Sequence, residues 1–418
     1  MFYKINKILW IILAISFPLF IFSFYRVNLG FYSISIPSLI LGFIIINYIL
    51  AQLTTSKIKI PIANHFSLLF ICCYLFILVH IFSGITSQLQ FLAIKEIAKL
   101  IVGLIVLYVF ITLFPKSYKF NKFFISVICI SSSILFILLI YKYAYVFKAA
   151  YVGSNINEVQ RSGKNQLTYY IACIFPYTLF YMNTNRNKII PFFVFFIFSI
   201  ALVYSSSRSA WVAVIVGLVY YSYKKIKISE NKLGIIAKYI SIIFIIFGLT
   251  YYVIINYFDT NLEVVYRVIS IFSPDLIPDQ YAYLGKHSYQ NRGKTLEMAF
   301  NMIPQFPLFG IGLSNTQLYV NRAWSHNDHV GVLLQIGIVG YSIFIAIWVS
   351  LWNFISKVPK INIKHFDEYL IASKQVFVTM LFLSLFIDVY TSTHFWFFIG
   401  LMIIPATIFN SNINIIHR

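Results

Sequence analysis

The chain has 418 residues, of which 60% are hydrophobic and 11% charged, and its formal net charge is +20. So few polar side chains cannot cover the surface of a water-soluble domain of this length, and the composition excludes that class. It predicts an all-α polytopic membrane protein.

Apolar runs of roughly 17–25 residues, the length of a helix that crosses a bilayer core, occur about twelve times. We treat the chain as one integral domain in which residues 1–256 carry the first nine of these helices, residues 257–327 form an external loop domain with short helices, and residues 328–418 carry the last three. The predicted helices lie near residues 8–25, 32–53, 66–84, 97–115, 122–146, 166–182, 189–205, 209–223, 235–257, 328–353, 370–388 and 394–411.

The basic residues predict the orientation. Lys and Arg concentrate in the short connections on one side, together with Lys4 and Lys7 near the N-terminus, and this bias marks the cytoplasmic side. Both termini are therefore predicted to be cytoplasmic, with the segments near 146–166 and 257–327 on the other side. Topology and anionic lipid headgroups then account for the net charge, so we expect membrane lipids and no nucleic acid as partners.

The four cysteines, which lie inside apolar spans, are expected to be small buried hydrophobic residues. Neither metal-ligand spacing nor a glycine-rich phosphate fingerprint occurs, so we expect no cofactor and no metal. The energy for any reaction must come with the substrate.

Within the loop domain, the segment from Asn291 to Met302 predicts a short amphipathic helix that Pro304 and Pro307 end. Arg292 faces away from its apolar side, which consists of Leu296, Met298, Ala299 and Met302. A glycine-punctuated turn, Phe309-Gly310-Ile311-Gly312, follows.

Arg208 lies at the external break between the seventh and eighth predicted helices. A guanidinium at membrane depth costs roughly 2.5–3.5 kcal/mol, so it needs a partner. It either reaches the interface or bonds helix-end carbonyls, or else it binds an anion, because its planar fork of donors suits phosphate. The N-terminal amides of the eighth helix would add donors to the same anion.

Other basic side chains are predicted on the same face. Arg161 opens the sixth helix and Arg292 belongs to the loop domain; each alone reads as a solvated charge, but together with Arg208 and a histidine they would form an anion site. Lys95 and Lys99, one helical turn apart at the external end of the fourth helix, are weaker candidates for contacting a lipid-linked phosphate.

His326 begins the polar segment that enters the tenth helix, where ionisable groups are costly. It either hydrogen-bonds the loop backbone or acts as a base near neutral pH. Asp328 is either a first-turn carboxylate favoured by the helix dipole or, with Asn327, a substrate contact. His329 is expected to pack or hydrogen-bond locally, and Asp388, at the turn between the last two helices, is a second-tier candidate.

Two arginine forks and a neutral imidazole, with no carboxylate cluster to hold a divalent cation, fit metal-independent displacement of a pyrophosphate leaving group. The arginines would offset the charge that develops on the leaving group, while the histidine deprotonates the attacking hydroxyl.

Three segments resemble the O-antigen ligase and polymerase superfamily of bacterial envelope glycosyltransferases. Ser207-Arg208-Ser209-Ala210-Trp211 is similar to its S-R-G-A-W segment, and Phe309–Gly312 to its G-x-G turn. His326-Asn327-Asp328, followed by Leu334 and by Gly337 to Gly340, is similar to its H-N-x…L…G-hydrophobic-x-G helix. Together they cover roughly residues 200–345.

The resemblance implies an inverting, metal-independent glycosyltransferase of the C-type in the bacterial inner membrane. It would move a glycan from undecaprenyl pyrophosphate to a sugar hydroxyl at the periplasmic face. The family's pyrophosphate-binding arginines carry over to Arg208 and Arg292, and its essential histidine to His326. Ser209 departs from the common glycine, and Arg161 has no motif that fixes its alignment.

Three functions stay open. An O-antigen ligase passes the glycan to the lipid A core, and the clear S-R-x-A-W and H-N-x segments favour it. A polymerase would use the same donor with a lipid-linked repeat as acceptor. A flippase for lipid-linked oligosaccharides would also need many helices, but the ionisable residues cluster at one face and no repeat is visible.

Overall fold

The structure is a computed structural model, which describes residues 2–21, 26–28, 33–54, 67–152, 158–204, 207–228, 232–234, 286–320, 327–359, 363, 365–387 and 390–416, with single helical residues at 237, 241, 244, 248 and 252. Within these ranges the side chains of residues 139–152, 158–166 and 286–292, among others, lie outside the description.

The described part of the chain is a helical bundle with a small loop domain. One short antiparallel pair, Arg26–Asn28 with Ser33–Ser35, departs from the all-α prediction; both segments alternate polar and apolar residues, a strand pattern. The helices are α1 (Phe2–Ser16), α2 (Ile36–Thr54), α3 (Ser67–Ile85), α4 (Gln90–Leu113), α5 (Tyr118–Val152), α6 (Glu158–Thr184), α7 (Ile189–Tyr204), α8 (Arg208–Ile228), α9 (Lys286–Met302), α10 (Thr316–Tyr319), α11 (Asp328–Ser356), α12 (Phe366–Leu383) and α13 (Thr393–Ile416).

Each predicted span except the ninth, which lies largely outside the described residues, coincides with one of these helices. By length and composition, 5 helices of the described part can cross a membrane: α2, α3, α4, the Tyr118–Leu138 part of α5, and α11. Shorter apolar helices cover Ile189–Leu202 and Thr393–Phe409. The chain is therefore a multi-pass membrane protein, while the count of about twelve spans and the orientation stay predictions.

The centre of the bundle is built on close packing of α4 against α13. A Cβ on Gly103 would lie 2.1 Å from Cδ1 of Trp396, and one on Gly400 would lie 2.6 Å from Cγ of Phe110. Each helix thus offers a glycine to an aromatic ring of the other. Small residues let membrane helices approach closely, since dispersion contacts contribute much of their association.

A polar cluster fixes the register of α12 against α8 and α6. Lys225 of α8 forms a salt bridge with Glu368 of α12, and the Tyr221 hydroxyl donates to Glu368 Oε2 at 3.1 Å. Asn183 of α6 donates to the Tyr221 oxygen at 2.6 Å. Nearer the start of α8, Gly217 faces the side chains of Gln375 and Thr379, which lie later in α12 than Glu368. The two helices are therefore antiparallel.

Candidate functional site

The Ser207–Trp211 segment builds the start of α8. The Trp211 amide donates to the Ser207 carbonyl at 3.1 Å, and the buried Trp211 indole donates through Nε1 to the carbonyl of Leu202, in α7, at 2.8 Å. Ala210 is fully buried. These contacts fix the start of α8 against α7. Arg208 is the first residue of α8 and has a half-buried side chain.

The helix dipole does not favour an arginine at this position. The positive end of the helix dipole disfavours a cation, and the first turn of α8 contains no acidic residue. A guanidinium fork and helix N-terminal amides both attract anions, however. The local arrangement around Arg208 is therefore suited to binding a phosphate group.

Polar contacts at the start of α11 join three helix ends. Asn327 is the N-cap, and its side-chain oxygen accepts from the Val330 amide at 3.0 Å, the preferred capping arrangement. Asp328 is fully buried. Its amide donates to the Ser384 carbonyl, after α12, at 2.8 Å, and its Oδ1 accepts from the Tyr390 amide, before α13, at 3.2 Å. Asp328 thus holds α11, α12 and α13 together.

His329 packs and hydrogen-bonds locally, as predicted. Its Nε2 lies 2.9 Å from the Ser384 hydroxyl and its Nδ1 lies 3.3 Å from the Tyr341 hydroxyl. Because the Ser384 hydroxyl donates to the Leu381 carbonyl, Nε2 carries the ring proton and Nδ1 accepts from Tyr341. Both ring nitrogens of His329 are therefore hydrogen-bonded, one to Ser384 at the end of α12 and one to Tyr341 within α11.

The register of α8 and α12 brings the two motifs to one end of the bundle. Arg208 precedes Lys225 by as many residues as Leu385 follows Glu368, so antiparallel packing sets Arg208 at the level of Leu385. Leu385 adjoins Ser384, whose carbonyl bonds Asp328. The starts of α8 and α11 therefore lie on the same face.

Two predicted site residues of this face lie outside the described residues. In the sequence, His326 immediately precedes the described N-cap Asn327, and Asp388 follows the described Ile387, between the end of α12 and the start of α13. Asp328 bonds backbone groups of Ser384 and Tyr390, which lie on either side of Asp388 in the sequence.

The long helix α11 is broken at Gly337, which has φ 65° and ψ −170°. The break frees the carbonyls of Leu334 and Gln335, and the G-x-G turn supplies their donors: the Ile311 amide at 2.9 Å and the Gly312 amide at 3.2 Å. A membrane helix can be interrupted only where its backbone groups find other partners. The turn meets that requirement.

The amides on the far side of the break are satisfied by the same loop. Ile338 donates to the Pro307 carbonyl at 2.9 Å, and Val339 donates to the Leu308 carbonyl at 3.3 Å. A Cβ on Gly337 would lie 2.2 Å from the Leu308 oxygen. The G-x-G turn and the G-hydrophobic-x-G helix, read as separate motifs in the sequence, are therefore one interlocked unit.

This unit is also fastened to the end of α3. Ser83 Oγ donates to the Gln335 carbonyl at 3.0 Å, and the Ser83 carbonyl accepts from the Leu313 amide at 3.3 Å. Asn315, fully buried, accepts from the Ser87 hydroxyl at 2.9 Å and from the Leu89 amide at 3.3 Å. The loop that leads to His326 is thus anchored to both α3 and α11.

The loop domain shares a small hydrophobic core with the start of α11, and α9 supplies part of it. Ala299 is fully buried against Ile311, Val320, Val330 and Leu334, and the core is flanked by Leu296, Met298 and Met302. This confirms the apolar side predicted for the helix, which begins at Lys286, earlier than predicted, and ends at Met302.

The remaining predicted basic residues fall into two groups. Arg292 lies in α9 and Arg161 in α6, both with side chains outside the described set. Lys95 lies over the Phe91 ring at 4.3 Å, a cation–π contact, and Lys99 bonds Glu96 at 2.6 Å. The two lysines thus have partners within α4, and neither is shown beside Arg208.

Sequence reasoning missed two residues that organise this face. Ser384 joins α12 to both Asp328 and His329, and Tyr390 supplies the amide that bonds Asp328. Both act largely through backbone groups, and no side-chain pattern signals such a role. The break at Gly337 had a signal, the paired glycines Gly337 and Gly340.

The comparison with protein families agrees with the motifs. Residues 193–345, which run from α7 through the loop domain into α11, match the family model described as O-antigen ligase. No curated protein sequence matches the chain. The matched family consists of membrane glycosyltransferase-like enzymes, and the matched range contains Arg208, Asn327 and Gly337. Residues 193–345 of this chain are therefore similar to the O-antigen ligase family, as their motifs predicted.

Proposed function

We propose that the chain is an O-antigen ligase that transfers a glycan from undecaprenyl pyrophosphate to a sugar hydroxyl of the lipid A core, at the periplasmic face of the bacterial inner membrane. The acceptor oxygen forms a bond to the anomeric carbon as the bond from that carbon to the pyrophosphate oxygen breaks. The configuration inverts, and undecaprenyl pyrophosphate leaves. No metal takes part.

The observation that carries the proposal is the common face of the α8 and α11 starts, together with the family match. Arg208 begins α8 on the side where Asn327 caps α11. A pyrophosphate bound at the start of α8 would therefore lie on the same face as His326, the residue that precedes Asn327. That arrangement suits transfer, since leaving group and base must flank one reacting carbon.

Each residue in the proposal has a chemical role. Arg208, with Arg292, offsets the charge that develops on the leaving pyrophosphate, and Arg161 adds a further donor. His326 takes the proton of the acceptor hydroxyl. Asn327 and Asp328 hold the start of α11, and so orient the segment that carries His326.

A polymerase is the second function within the same family. It would use the same donor and the same residues, with a lipid-linked repeat unit as acceptor. The S-R-x-A-W and H-N-x segments are clear in this chain, and this favours the ligase.

The test is transfer by the purified protein from an undecaprenyl-pyrophosphate glycan in the presence of EDTA. One reaction contains lipid A core as the acceptor and a second contains lipid-linked repeat units. The proposal expects product on the lipid A core alone. Product on repeat units alone would establish the polymerase, and no product from a donor that a known ligase uses would contradict both and favour a flippase.

A further inference from the structure

A cavity of about 360 Å³ opens where α1 begins and where α2 and α4 end. This volume falls within the roughly 300–1,000 Å³ of small-molecule sites. α4 begins beside the loop domain, where the Leu89 amide bonds Asn315, and it has 24 residues, or roughly 36 Å of helix. The cavity is therefore a helix length away from Arg208 and the start of α11.

The charged side chains that line the cavity are both cations. Lys7 comes from α1 and Lys116 from the turn after α4, and no Asp or Glu belongs to the lining. Within the part of the chain that the structure describes, Lys116 has no hydrogen bond or ion pair. Two ammonium groups around one concave space produce a field that favours an anion.

The rest of the lining suits a phosphate ester more than a bare anion. Asn6, Asn47 and Gln52 contribute amide groups, and Tyr48 contributes a phenol, so hydrogen-bond donors surround the cations. Leu113, Phe114 and Pro115 add an apolar wall. An amphipathic site with this lining can take both the phosphate and the ester carbons next to it.

We propose that this cavity binds a phosphate ester, either the headgroup of an anionic phospholipid or a soluble phosphate monoester. Basic pockets between transmembrane helices on the cytoplasmic side bind anionic headgroups, and the basic-residue bias predicts that this end of α1, α2 and α4 is cytoplasmic. The site is independent of the proposed transfer reaction, because no residue of its lining belongs to the periplasmic face.

The test measures lipid retention by the intact protein, in detergent, with native mass spectrometry. Phosphatidylglycerol, phosphatidylcholine and soluble glycerol phosphate are titrated separately onto the wild type and onto Lys116→Gln and Lys7→Gln. Lys119→Gln is the matched control, since Lys119 is exposed in the same region and does not line the cavity. Lys116→Arg keeps the positive charge and so separates the effect of the charge from that of the lysine side chain.

Phosphatidylglycerol should bind the wild type, Lys119→Gln and Lys116→Arg alike. Each lysine-to-glutamine change in the cavity should weaken binding about five-fold, and the double variant by the product of the two. If glycerol phosphate binds as tightly as phosphatidylglycerol, the ligand is a soluble phosphate ester. If glycerol phosphate binds much more weakly than phosphatidylglycerol, the ligand is the lipid. Equal binding of phosphatidylcholine, or a double variant that binds like Lys119→Gln, would overturn the proposal.

Discussion

Replacing Gly337 by alanine tests whether the loop domain is docked through the break in α11. The alanine must adopt φ 65° and ψ −170°, a conformation essentially confined to glycine that costs about 1–3 kcal/mol. Its Cβ would also lie 2.2 Å from the Leu308 oxygen. This atom is backbone and cannot rotate away, and overpacking of this kind costs about 1–3 kcal/mol.

The two costs together predict that Gly337→Ala lowers the free energy of unfolding by about 2–6 kcal/mol. The measurement is unfolding by SDS in mixed micelles, followed by circular dichroism. A second readout is tryptic cleavage after Lys294, which is exposed on α9. Cleavage should accelerate in the variant, because the loop that follows α9 loses its backbone hydrogen bonds to α11.

Two glycines provide matched controls. Gly340 lies in the same helix with an ordinary φ, and the atoms nearest to a Cβ there belong to the side chain of Ile336 and not to backbone, so Gly340→Ala should cost less than Gly337→Ala. Gly42 of α2 has nothing within 4 Å of an added Cβ, so Gly42→Ala should leave stability near that of the wild type. If Gly337→Ala unfolds and is cleaved like Gly42→Ala, the account of the break is refuted.

Three further changes test other contacts by the same unfolding measurement. Asn327→Ala removes the cap of α11 and should cost about 1 kcal/mol, whereas Asn327→Ser should retain most of it; equal stability of the two variants would contradict the cap. Trp211→Phe removes the indole bond to the Leu202 carbonyl and should cost about 0.5–1.5 kcal/mol, with no loss arguing against that bond. Gly400→Ala crowds the Phe110 ring and should cost about 1–3 kcal/mol; a neutral result would mean that α4 and α13 are packed less closely.

The positions of the helices could be predicted because a bilayer imposes a length and a composition on each of them. The helix boundaries were less predictable. α6 begins at Glu158 and α5 continues to Val152, and both extensions consist of polar or mixed residues that hydropathy does not detect. The short strand pair between α1 and α2 is similarly too brief to leave a strong pattern.

The chemistry of the candidate site stays a prediction, and the way the site is built could not be predicted from the sequence. The S-R-x-A-W and H-N-x segments point to Arg208 and the start of α11, and the structure places both at one end of the bundle. The junction at Gly337 depends on the carbonyls of Pro307 and Leu308, which are distant in the sequence and carry no side-chain signature. Asp328 is the first-turn carboxylate that was one of its two predicted roles, but its burial and its bond to the Tyr390 amide depend on tertiary packing that the sequence does not show.

The most direct test of the proposed site is the rate of glycan transfer by Arg208→Ala, Arg208→Lys and His326→Ala, each compared with the wild type at equal amounts of membrane-inserted protein. Arg186→Ala is the control, because Arg186 is exposed in the loop between α6 and α7, on the predicted opposite face. The account predicts that the first three variants lose transfer, including the lysine variant, which keeps the charge but not the planar fork, and that Arg186→Ala keeps it. Full transfer by Arg208→Ala and His326→Ala would contradict the site.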